Sequence, residues 1–299
     1  MLTKFLKLGV AIAAMCGVAG TAHAEKLDLN TAEGMAKVMR KLQCSLKDNK
    51  PVTYFWQGTA YGRTMGQADK VLFDVDGMNI RQCATVKDKD GKYGYRLVSR
   101  ELLLYRDSKT GEYLRTWDNP YTGQKVNVLH VANDPVNSRP SFGLDRDGKP
   151  MKFPGQILDG QVWMTSTVPL YYSNPLAGDY QKNIGGFYHA TEMFNFFAKE
   201  KDLLDGSKDQ ADVTVAWQRM SDWLPWMEMS GREGQFYVST GGRMLRKHDD
   251  LPQRVKDEIA KNYPEYNMPP PTDDPRPNET SWTYFKKKMP VEKKSEGSH

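Results

Sequence analysis

The chain predicts a mainly β protein: an antiparallel lipocalin-like barrel, with a β-sandwich as the alternative, and a helix near each end. Three observations carry this expectation. Runs rich in Val, Tyr, Phe, Trp and Thr alternate with period 2, as strands do when successive side chains point to opposite faces. About nine or ten such runs follow one another at short spacing, closed by Gly, Pro, Asn and Asp. Glycines within the runs, such as Gly58 and Gly62, permit curvature, and inward aromatic residues suit a barrel around a small ligand.

The first 24 residues read as an export signal. Lys4 and Lys7 precede an apolar core, residues 8–19, and Ala22-His23-Ala24 offers a small-x-small cleavage site. That core is too short to span a bilayer comfortably, and Met15 before Cys16 is a poor lipoprotein box. Cleavage after Ala24 and a periplasmic or secreted location are therefore expected, with no membrane span afterwards. The net charge of +5, two units of it from Lys4 and Lys7, is too small and too scattered for a nucleic-acid surface. Cys44 and Cys83 remain after cleavage. A disulfide and two buried thiols are both compatible with their spacing, which matches no metal finger.

Residues 25–267 read as a single β-rich domain and 268–299 as a Pro-rich, basic tail. The pattern Asn30-Thr31-Ala32-Glu33 starts a helix over 32–46, with Met35, Val38, Met39 and Leu42 on one stripe. Residues 52–64 form a first strand. Residues 70–76 and 78–86 read as a hairpin around Asp76-Gly77, a favoured turn pair. Residues 93–105 then place Tyr93, Tyr95, Leu97, Ser99, Glu101, Leu103 and Tyr105 on one face. Turns at 107–111 and 118–123 separate runs at 112–117 and 124–131, which completes a three-strand meander. Residues 139–155 are a loop, 161–168 a strand, and 169–186 a long loop of the kind often used for function. Strands follow at 187–198, 213–220 and 235–240, with an aromatic-Met turn at 223–229 and a helix at 251–263. Three consecutive prolines make 268–278 an extended linker.

The stretch TWDNPYTGQKVNVLHVANDPVN, residues 116–137, together with Trp217-Gln218-Arg219, the block Trp223 to Met229, Gly231 and Gly234, resembles the signature of a secreted bacterial family known as domain of unknown function 1838. The resemblance spans residues 27–246 and implies no reaction or catalytic residue.

The chemistry must therefore be read from the residues. Glu101 and Glu192 fall in phase with Tyr and Phe; a carboxyl among aromatics is desolvated, which raises its pKa and suits it to acid–base work. Ion pairing to Arg100, Arg115, Arg219 or Arg232 is the structural alternative. His130, beside Asn133, Asp134 and Asn137, is the candidate proton shuttle with Asp134 as its orienter. A corner locked by side-chain-to-backbone bonds competes with that reading. Tyr95, Trp117, Asn133 and Trp226 are the candidate lining of a pocket. A metal held by His130, Asp134, His189 and Glu192 is disfavoured, since positions three apart diverge on a strand. No cofactor is expected, and no nucleophile elbow or phosphate loop is present. The expectation is an exported barrel binding a hydrophobic or aromatic small molecule, with cofactor-free lyase, hydratase or isomerase chemistry or with none, as a carrier.

Overall fold

The computed structural model describes residues 25–180, 184–229 and 231–290. The leader at 1–24 and the end of the tail at 291–299 lie outside the described residues. The alternating runs become β1 (Val52–Arg63), β2 (Lys70–Lys87), β3 (Tyr93–Arg106), β4 (Thr116–Asp118), β5 (Lys125–Asn127), β6 (Val131–Asn133), β7 (Gly155–Leu158), β8 (Gln161–Ser173), β9 (Phe187–Lys199), β10 (Val213–Ser221) and β11 (Gln235–Met244). The helices are α1 (Ala32–Lys41), α2 (Glu200–Leu203), α3 (Gln253–Asn262) and α4 (Ser281–Lys288). None of them is long and apolar enough to cross a membrane.

Nine strands form one antiparallel sheet in the order β6-β3-β2-β1-β11-β10-β9-β8-β7. The first and last strands pair, from Tyr54↔Met244 to Arg63↔Gln235, as an up-and-down barrel requires. The ladder is nevertheless not closed: its edges are β6 and β7, which are consecutive in sequence. The expected barrel is therefore corrected to a large open antiparallel sheet. The reason lies in the connection, where Pro135, Pro140, Pro150 and Pro154 lack the amide donors that a continuous ladder needs.

The open sheet is rolled. Residues of β2, β3, β9, β10 and β11 share one apolar cluster that includes Phe73, Tyr105, Tyr188, Trp217 and Phe236. Glu101 on β3 and Glu192 on β9 feel each other's charge, although five strand spacings separate them, roughly 24 Å on a flat sheet. Only strong curvature brings them within range.

The seam is bridged by α4. Thr280 caps this helix in a capping box with Thr283. Trp282 packs edge-on against Tyr188 of β9 at 4.3 Å and donates to the Tyr172 hydroxyl of β8 at 3.2 Å. Just before the helix, the Glu279 amide donates to the Pro135 carbonyl at 2.8 Å, beside β6. The preceding linker is pinned along the convex face: Gln82 donates to the Pro270 carbonyl and Arg96 to those of Thr272 and Asp274. Residues 268–288 are thus part of the domain rather than a solvated tail. Three aromatic side chains, Trp282, Tyr284 and Phe285, become buried by this docking, and a Pro-rich approach segment has little chain entropy to lose.

Two further expectations change. Residues 70–87 form one strand, not a hairpin at Asp76-Gly77. A Cβ at Gly77 would lie 2.0 Å from the Trp56 indole nitrogen, so glycine is required here for close approach and not for a turn. The meander is also broken: β4 and β5 pair as a separate ribbon, because Trp117 and Val126, directly opposite, turn into the aromatic end of the roll. The other end is covered by α1, capped by Thr31, with Val38 and Leu42 on Val52 and Tyr54. Cys44 and Cys83 form a disulfide that ties the segment after α1 to β2.

Candidate functional site

Between the aromatic end and the α1 end, the concave face carries a belt of polar side chains. It is built from register. Asn79, Glu101 and Asn133 lie side by side on β2, β3 and β6, and Arg219 lies opposite Glu192 on β10 and β9. Cross-strand partners share a face, so each row points inward together. Glu101 accepts from the Asn79 amide at 3.2 Å. Its carboxyl is pushed toward the neutral form by burial first and by the Glu192 charge second, against the opposing pull of Arg81. Glu192 pairs with Arg219 at 3.5 Å, and Arg219 also donates to the Tyr188 hydroxyl.

An aromatic wall stands beside this belt. Trp56 and Trp217 lie 6.2 Å apart, Phe194 follows at 6.5 Å from Trp217, and Phe196 stacks on Phe194 at 6.2 Å. Trp56, Phe194 and Phe196 remain partly exposed, and the inward positions of β8 opposite the wall, Ser166 and Val168, are exposed. The concave face therefore opens to solvent along β8 as a groove. Three polar atoms of the belt and its wall are buried without a hydrogen-bond partner: Trp56 Nε1, Arg219 Nε and Asn133 Oδ1. Buried polar groups are ordinarily satisfied, so these three atoms can take a ligand or water as partner, as can others buried elsewhere, among them those of His130, Asn137 and Trp223.

Of the residues expected from sequence, Glu101, Glu192 and Asn133 reach this belt. His130 and Asp134 do not form a dyad. His130 is buried with Nδ1 accepting the Tyr105 amide at 3.1 Å. Burial, reinforced by the Arg115 charge, pushes its pKa down to about 4, so the ring is a neutral acceptor. Asp134 follows the inward Asn133 by one position and so turns outward, where Arg100 and Arg276 each hold it at 2.9 Å. Trp117 and Trp226 pack edge-to-face at 5.9 Å in the aromatic end, and Tyr95 lies under α1 with its hydroxyl on Gln43. None of these three lines the groove. His189 points outward against Tyr171, away from Glu192, and no metal-binding cluster occurs among the described residues.

Sequence reasoning missed Asn79, Arg81, Trp56 and Trp217 as groove residues. The signal for the first two was the inward phase of β2, hidden by the turn reading of Asp76-Gly77. Two surface depressions lie elsewhere, one of about 570 Å3 beside Lys26 and Lys199 and one of about 200 Å3 among Asn174, Asp222, Trp223 and Trp282. The first is a shallow hollow whose Lys26 and Glu200 already pair at 2.9 Å, and neither holds the two glutamates.

The comparison with known families gives one match, to a protein family of unknown function, DUF1838, over residues 49–289. The chain belongs to that family. No curated protein matches it.

Proposed function

Because that family carries no assigned activity, we propose that the chain binds a hydrophobic or aromatic small molecule in the groove of its rolled sheet and that Glu101 performs acid–base chemistry on it without a cofactor. Hydration, dehydration and isomerisation are the reaction types this arrangement suits. The observation that carries the reading is Glu101 itself: a carboxyl biased toward its protonated form, beside an aromatic wall and facing a second carboxyl already engaged by arginine. Two carboxyls in unlike settings can divide donor and acceptor roles. The fold fits a lipocalin-like barrel opened along one seam. Export fits the leader-like first 24 residues and the Cys44–Cys83 disulfide, which an oxidising compartment maintains.

A noncatalytic carrier is the second reading. It is favoured by one specific observation, the engagement of His130 by a backbone amide. Native mass spectrometry of residues 25–299 purified from a periplasm separates the two. An organic mass that builds up in Glu101→Gln but is converted by the natural protein supports the enzyme. A mass held equally by both and unchanged on incubation supports the carrier. A bare protein that also fails to bind N-phenyl-1-naphthylamine rules out the groove as a ligand site.

A further inference from the structure

Arg81 differs from the other inward or buried arginines. Arg40 has Asp48 at 2.8 Å, Arg100 has Asp134 at 2.9 Å, and Arg219 has Glu192 at 3.5 Å. Arg96 donates to two main-chain carbonyls. Arg81 points into the roll from β2, between Val52 and Ser99 on the flanking strands. Its Nε donates to the Asn79 side-chain oxygen, and its guanidinium lies 4.9 Å from the Tyr54 ring centroid. Among the described residues it has no ion pair, and no acceptor is found for either Nη nitrogen.

A half-buried guanidinium without a direct ion pair, and with only the charge of Glu101 nearby, is costly to the fold. Tyr54 covers one face and Asn79 takes Nε, which leaves the two-nitrogen end free in the fork geometry that matches a carboxylate. We propose that the groove's ligand is an organic carboxylate and that Arg81 is its anchor. This rests on the reading of the groove as a ligand site and adds the ligand's charge to it. The surrounding charge favours a monoanion over a phosphate dianion: Arg81 is a single cation, and Glu101 and Glu192 both oppose additional negative charge. Glu101 stands diagonally across from Arg81, one row along the strand, a step of about 7 Å. A carboxylate seated on Arg81 thus lays its adjoining carbons toward Glu101 and its apolar body toward the next inward row, which Trp56 covers at Gly77.

The test uses two probes of nearly the same shape, 2-naphthoate and naphthalene-2-carboxamide, titrated against the purified protein with tryptophan fluorescence and calorimetry as readouts. The natural protein is expected to bind the naphthoate at least tenfold more tightly than the amide. In Arg81→Gln that preference disappears while the affinity for the amide changes by less than twofold; Arg81→Lys keeps part of the preference. Equal affinity of the natural protein for both probes overturns the carboxylate anchor and leaves the groove reading standing. Failure of both probes to bind overturns the groove reading and the anchor together. The comparison of probes on the natural protein needs no variant, so it decides the matter even if Arg81→Gln fails to fold.

Discussion

Asp76 and Glu101 are carboxylates on neighbouring strands of one sheet, on opposite faces, and they are treated in opposite ways. Asp76, on the convex face, is fully buried and completely engaged: Arg254 reaches it at 2.7 and 2.9 Å, the Tyr113 hydroxyl at 2.8 Å and Arg106 at 3.6 Å. Glu101, on the concave face, has amide donors and a repelling carboxyl, while its nearest cation, Arg81, stays unpaired. Asp134 repeats the convex pattern with Arg100 and Arg276. A polar group whose partners are complete is explained by the fold. One held with partners missing works against the fold and needs another explanation, and Glu101 with its neighbour Arg81 is such a case in the groove.

Variants can break or sharpen this contrast. The largest effect is expected from Asp76→Asn, which leaves Arg254 and Arg106 without their counter-charge and should cost about 4 kcal/mol of unfolding free energy in urea. An effect under 1 kcal/mol would remove the distinction between the faces. Next comes Trp282→Ala, expected to lose roughly 3 to 4 kcal/mol through the cavity at the seam; limited proteolysis should then release the C-terminal segment first.

His130 supplies the third case. Its folded pKa of about 4 lies below the ordinary 6.5, so the folded state prefers the neutral ring. The stability this provides is fully present above pH 6.5 and is lost as pH falls through about 4. It amounts to about 3 kcal/mol. His130→Gln should flatten the pH 7 to pH 4 stability difference by that amount, and an unchanged difference would contradict the buried neutral ring. The smallest effect is expected at Glu101. Its folded pKa is raised, so its contribution is favourable at acid pH and is lost as pH rises through the folded value. Glu101→Gln should therefore modestly raise the melting temperature at neutral pH, opposite in sign to Asp76→Asn, and on the proposed catalytic reading it also abolishes turnover.

The alternation of residues 93–105 made β3 and the inward phase of Glu101 legible, because period 2 depends only on local backbone geometry. Glu192 was legible for the same reason, whereas Asn133 stood out only as a polar neighbour of His130. What could not be read was which inward rows face each other across the roll, since Glu101 of β3 and Glu192 of β9 come within range of each other's charge only through curvature summed over the strands between them. Local signals also misled where packing overrode them. Asp76-Gly77 has turn chemistry, yet Gly77 serves the Trp56 ring. His130 and Asp134 are near in sequence but have separate partners, the Tyr105 amide for one and Arg100 with Arg276 for the other. The prolines of residues 269–271 suggest a free tail, yet the aromatics that follow find the seam.

The position of that seam has a consequence for how the molecule is completed. A ribosome delivers every strand of the sheet before it delivers Ser281, so an unfinished chain can assemble its ladder but cannot hold the two edges together. The last helix works as a keystone: a product cut short before Trp282 would carry all the groove residues named above and still leave the edges unfastened. Only copies that include the last helix would fasten the two edges, and on the proposed reading of the groove only these would present a finished ligand site.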